Sequence, residues 1–207
     1  MTGKGVEQDY EKAKDLLLCA ASQNDGFAMS KLGEFYYGGI SGARDRAQGI
    51  RWYQKAVEQN DIGAILILGT IYWEGQSVPK NVERAIILFR MAAERGNQDG
   101  VNCLARALLD QDDIEKQAEG VSWLKENAKK GNAFAMYLLA RCYEKGRGVP
   151  RDEKEMNSWY LFSARRGFSE AKMELGKMLA RGTLTRAPSP EEEVAWLQEA
   201  IIRGDLL

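Results

Sequence analysis

Tryptophan falls at Trp52, Trp123, Trp159 and Trp196, and Leu88 fills the gap between the first two, so one marker position recurs after 36, 35, 36 and 37 residues. Eight residues past each marker stands a helix stop, Asn60, Gly96, Gly131, Gly167 or Gly204, and Asn24 precedes the series. A period this short cannot bury a core alone, so its copies must stack on one another. The spacing predicts an array of two-helix units: a partial unit at 3–25 with only its second helix, then 26–61, 62–97, 98–132, 133–168 and 169–205.

The first helix of each unit carries Ala-x-x-x-Leu-Gly-x-φ-Tyr, with φ apolar. It is clearest in Ala28, Leu32, Gly33, Phe35, Tyr36 and in Ala64, Leu68, Gly69, Ile71, Tyr72. The later copies, built on Leu104, Leu139 and Leu175, are looser. At about 100° per residue these apolar positions share one arc of roughly 100°, the stripe of a core-facing helix. The Gly or Ala after the Leu lets a neighbouring helix come close.

A turn follows, written GQSVPKN at 75–81 and GRGVPRD at 146–152, with GKGVEQD at 3–9 as a shorter echo. Glycine and proline make these turns rather than helix. Asp9, Asp45, Asn81, Asp152 and Ser189 then stand seven residues before the marker, where a side-chain oxygen caps the second helix.

The combination of Ala-x-x-x-Leu-Gly-x-x-Tyr, a Gly-x-Gly-Val loop and a Trp-Tyr/Phe-x-x-Ala-Ala-x-x-Gly second helix resembles the Sel-one-like repeat, a relative of the tetratricopeptide repeat, over essentially the whole chain. The resemblance implies an all-α, right-handed α/α superhelical solenoid of about five and a half repeats of ~36 residues. It further implies a bacterial-type adaptor or scaffold that binds another protein or peptide in a concave groove. Two stretches depart from the pattern. Unit 98–132 replaces the loop glycines with the acidic LDQDDIEKQ, and the last unit carries the longer RGTLTRAPSP. An array that opens and closes within a unit is expected to be a fragment, or to have its ends covered by a partner or by self-association.

The chain excludes several kinds of chemistry. It has no histidine, and its three cysteines, Cys19, Cys103 and Cys142, are far apart, which leaves no zinc set and no usual general base; no cofactor is expected. Cys19 and Cys142 fall on the core stripe and Cys103 lies beside it, so all three read as small buried hydrophobes. Lys and Arg number 29 against 30 for Asp and Glu, giving no overall pull toward nucleic acid. The apolar run 62–73 is too short to span a membrane, and no secretory signal opens the chain. The cytoplasm is the expected compartment, with the periplasm open to a chain whose signal has been removed.

Taking the recurring Leu of each first helix as origin, positions five before, two before, two after and five after lie at about 140° to 220°, opposite the core. In the resembled family this face lines the groove. The residues expected to bind a partner there are Glu34, Tyr37, Thr70, Trp73, Asn102, Arg106, Tyr137, Arg141, Glu144, Met173 and Lys177. Phe27 and Phe134 share the face but sit near helix starts, where packing on a neighbouring repeat competes with groove lining. Arg106, Arg141 and Lys177 make the later groove cationic, suited to an acidic partner segment. The recurring tryptophans read as core.

Three readings of function follow. The first is a non-catalytic interaction module. The second is an immunity or inhibitor protein that neutralises a secreted bacterial toxin or enzyme through the same groove. The third is a serine-based penicillin-interacting enzyme, suggested by Ser-x-x-Lys at Ser77, Ser122 and Ser169. It lacks the companion motifs, Ser77 lies in a turn, and Ser169 reads as a helix cap.

Overall fold

A computed structural model describes residues 9–40, 44–184, 191, 192, 194–196 and 198. Within them the chain is an all-α solenoid of tandem two-helix repeats. Its helices are α1 (Tyr10–Ser22), α2 (Gly26–Gly38), α3 (Arg46–Glu58), α4 (Ile62–Glu74), α5 (Val82–Glu94), α6 (Gln98–Leu109), α7 (Ile114–Lys129), α8 (Ala133–Lys145), α9 (Glu153–Arg165) and α10 (Ser169–Ala180). Two compact units are formed, Met1–Gly100 and Val101–Leu207.

In the first unit α1 packs on α2, α2 on α3, α3 on α4 and α4 on α5, and α2 also touches α4. The close approach comes from the small residue after the recurring Leu. A Cβ on Gly33 would stand 2.5 Å from the Tyr53 ring, and one on Gly69 would stand 2.5 Å from the Phe89 ring. Tyr53 and Phe89 each follow the marker position by one residue and are buried. In the second unit α7 packs on α8, α8 on α9 and α9 on α10. There Ala140 fills the small-residue position and shares a buried cluster with Tyr160.

Caps set the helix boundaries. Asp9, Asp45, Asn81 and Asp152 accept from the amides of Lys12, Gln48, Arg84 and Lys154 at 2.9 Å, as their spacing predicts. Ser189 lies outside the described residues. The first helices have caps of the same kind: Asp25, Asp61 and Asn132 accept from Ala28, Ala64 and Ala135 at 3.1, 2.7 and 2.8 Å. Replacing any one of these caps by Ala removes the accepting oxygen and would cost about 1 kcal/mol. The helix stops at Asn24, Asn60, Gly96, Gly131 and Gly167 all take positive φ, from 60° to 91°, the left-handed step that ends a helix and reverses the chain.

Successive stops are also tied together. Arg95 donates to the Asn60 side chain in the first unit, and Arg166 donates to the Gly131 carbonyl at 3.2 Å in the second.

The irregular connection at 110–113 has a simple outcome. Asp113 caps α7 by accepting from Glu115 and Lys116 at 2.9 and 3.0 Å, and α7 runs for 16 residues where the other second helices run for 13. The chain saved from the turn becomes an extra helical turn.

Several expectations need correction. Ser169 is the first residue of α10 rather than its cap, which is Phe168 and makes no side-chain capping bond. Cys19 is exposed and Cys103 half-buried, and only Cys142 is buried. The side of α1 that holds Cys19 is not the side α2 covers. Trp52, Trp123 and Trp159 are half-buried and only Trp196 is fully buried. The indole N–H groups of Trp123 and Trp159 donate to Glu119 and Glu155 one turn earlier, at 3.2 and 3.0 Å. A half-buried indole covers the apolar layer while its N–H reaches a partner at the surface; the residue after it makes the core.

Candidate functional site

The face opposite the core on the first helices is only partly open, because it also meets the next first helix. In α2, Ser30 is buried, with its hydroxyl near the start of α4, while Glu34 is exposed and pairs with Lys31 at 2.6 Å. Phe27 is 64% exposed, with the Lys31 ammonium 5.6 Å from its ring centre. Tyr37 is half-buried. Its ring centre lies 6.1 Å from that of Tyr53, the Arg46 guanidinium lies 5.7 Å from it, and its hydroxyl is 2.8 Å from the Ser77 hydroxyl. Thr70 turns its hydroxyl back on its own helix, donating to the Leu66 carbonyl at 2.9 Å. Trp73 is half-buried and meets Phe89 edge-to-face at 6.3 Å.

In the second unit Asn102 is buried, and its expected place on the open face is incorrect. It accepts from Asn127 at 3.1 Å and faces the Asn132 cap at 3.5 Å, so its polar atoms are spent inside the repeat. Leu109, at the matching late position of α6, is buried too. Tyr137 is half-buried among aromatic rings: Phe134 at 6.3 Å, Tyr160 at 5.9 Å and Phe168 at 5.2 Å. Burial raises its phenol pKa, and the Arg141 guanidinium 5.9 Å from the ring partly offsets this. Glu144 is half-buried and accepts from the Tyr160 hydroxyl at 3.3 Å; Met173 is half-buried; Lys177, also half-buried, pairs with Glu174 at 3.3 Å. Arg106 and Arg141 are exposed.

Arg106 and Arg141 meet in a cleft of about 180 Å³ between α6 and α8. Its floor is Leu109, Leu138 and Cys142, all buried. Its rim adds Lys145, Arg147 and one carboxylate, Asp110, which lies 3.7 Å from Arg147. Burial pushes the Cys142 thiol up to about 11, against an ordinary 9.0, although Arg147 and Arg141 pull the other way. The floor is therefore uncharged at neutral pH. In the first unit a cleft of about 300 Å³ opens between α2 and α4, lined by Tyr37, Ile67, Thr70, Ile71, Glu74 and Gln76 among others. Lys145 and Arg147 were not among the residues expected from sequence, because only the face opposite the core was considered and the end of the helix and its turn were not.

Among the described residues no helix is long and apolar enough to cross a membrane, and no three His, Cys, Asp or Glu gather as metal ligands.

The family model described as the Sel1 repeat matches residues 1–25, 26–61, 63–97, 133–168 and 169–205. The unmatched stretch between 97 and 133 contains α6 and α7, the pair with the short connection. The solved Sel1 repeat protein from Oxalobacter formigenes is 31% identical, covers 96% of this chain and 79% of its own, and superposes with a TM-score of 0.77. The immunity protein Pa5087 from Pseudomonas aeruginosa, at 18% identity over 96% of this chain and 76% of its own, has a TM-score of 0.55 and shares the fold. The chain is 27% identical over 190 residues to chitin synthase regulatory factor 3 of Schizosaccharomyces pombe, but spans only 17% of that protein's length.

Proposed function

Because the chain belongs to the Sel1 repeat family, we propose that it is a non-catalytic scaffold that binds a partner protein along the open side of its first helices, where the partner presents an acidic segment. The observation that carries this reading is the cleft between α6 and α8, where four cations stand over an apolar floor. Catalysis has no support in the Ser-x-x-Lys motifs: Ser77 lies in a turn bonded to Tyr37, Ser122 lies within α7, and Ser169 opens α10. Without a histidine in the chain, none of these serines has the usual general base.

An immunity role is the second reading, and it is favoured by a specific comparison. A solved protein of the same fold carries the name immunity protein, and neutralising a toxin needs no more of this chain than a protein-binding face.

Affinity capture with the wild type beside Glu34→Lys and Arg141→Glu tests the general reading. Both positions are exposed, so the variants should fold. A partner retained by the wild type and lost from at least one variant supports a binding face on the first helices; an identical partner set from all three removes it. Trp73→Ala is less informative, because that ring is packed on Phe89. For the immunity reading, co-expression with the protein of an adjacent toxin gene should restore growth, and unchanged killing would reject it.

A further inference from the structure

The two clefts occupy the same place in the repeat. Counted from the recurring Leu of the following first helix, positions one before, two after, three after, six after and eight after are Ile67, Thr70, Ile71, Glu74 and Gln76 in the first unit. In the second unit they are Leu138, Arg141, Cys142, Lys145 and Arg147. From the preceding helix and its end, Tyr37 in one and Leu109 in the other stand at matching positions, and the second cleft alone adds Arg106 and Asp110. The apolar floor is kept, while the three rim positions change from neutral or acidic to cationic.

We infer that the α6–α8 cleft is a pocket for an acidic segment of a partner protein, seating a side-chain carboxylate among Arg106, Arg141, Lys145 and Arg147 while an adjacent apolar side chain rests on Leu109 and Leu138. The inference rests on the protein-binding reading above and adds the residues that seat the carboxylate and the apolar side chain beside it. Guanidinium groups match carboxylates as paired donors. The neutral thiol below adds no repulsion. Asp110, 3.7 Å from Arg147, is the carboxylate already present, and an incoming one competes with it for that cation.

The test is fluorescence anisotropy with a labelled peptide of alternating Glu and Leu, beside the same peptide with Gln for Glu. The Glu peptide should bind saturably and more weakly as salt rises, and the Gln peptide at least about tenfold more weakly. Arg141→Gln and the double variant Arg141→Glu, Arg147→Glu should each lower affinity, the latter by at least about tenfold. Asp110→Asn should raise it by about two- to threefold, a gain that a purely structural role does not give. Arg51→Glu on α3 should leave it unchanged.

Equal binding of the two peptides, no saturation below about 1 mM, or unchanged affinity in the folded double variant would overturn the inference. So would displacement of the peptide by single-stranded oligothymidylate at equal concentration, which would make the site a general polyanion surface. The pocket and the general reading fail separately. If Arg141→Glu still captures the wild-type partners but Glu34→Lys does not, the scaffold reading stands and the pocket falls; if the Glu peptide binds at this cleft while capture fails, the pocket stands alone.

Discussion

The hydroxyls of Tyr37 and Ser77, 2.8 Å apart, join the end of α2 to the turn that follows α4, across 40 residues of sequence. The matching residues in the second unit are Leu109 and Gly148, which cannot form such a bond. Tyr37→Phe keeps the ring on Tyr53 and removes only the hydroxyl, so urea denaturation should show a loss of about 1 kcal/mol. Ser77→Ala should cost about the same, and the double variant little more than either alone. Additive losses would mean that the two groups act independently.

Gly69 has the Phe89 ring 2.5 Å from where its Cβ would stand. Gly69→Val should destabilise by about 1–3 kcal/mol through overpacking. Gly69→Ala should cost less, since Ala140 occupies the same position beside Tyr160. Thermal melts of the two variants would rank them, and equal melting temperatures would contradict the packing argument.

Asn127 donates to Asn102 in the interior of the second unit. Asn127→Ala leaves the Asn102 oxygen without this donor where water does not reach, and should cost about 1–3 kcal/mol by chemical denaturation. A neutral result would show that the buried bond adds nothing net.

Cys142 makes alkaline stability a readout of the cleft floor. Its thiol pKa is about 11 in the folded protein against 9.0 for the ordinary thiol. Between these values the unfolded chain has released a proton that the folded chain still holds, so this contribution is complete below pH 9 and is lost as pH rises through 11. Cys142→Ala should flatten the fall in stability over that window. A thiol reagent at neutral pH should modify exposed Cys19 quickly and Cys142 only after denaturation.

The repeat was legible because its period is written in large residues and helix stops, and the small residue after the recurring Leu correctly announced the close approach of Tyr53 and Phe89. Second-helix caps were legible for the same reason. First-helix caps at Asp25, Asp61 and Asn132 carried the same signal, an Asx three residues before the Ala that opens the apolar stripe. The open face was harder to read. An angular position on one helix does not say what the next helix covers, and Ser30, Asn102 and Leu109 are buried by neighbours that a single-helix projection omits. Tyr37, Trp73 and Tyr137 were expected as groove aromatics; each also packs on an aromatic ring of the second helix in its own repeat.

The recurring cleft separates side chains that hold the helices together from side chains that do not. In the second unit its floor, Leu109, Leu138 and Cys142, belongs to the packed interior, while Arg141, Lys145 and Arg147 stand on the rim, where the first unit has Thr70, Glu74 and Gln76. Substitution there can drift without dismantling the helices beneath. On the proposed reading, three rim positions per repeat are therefore where the choice of partner can change while the packing beneath stays as it is.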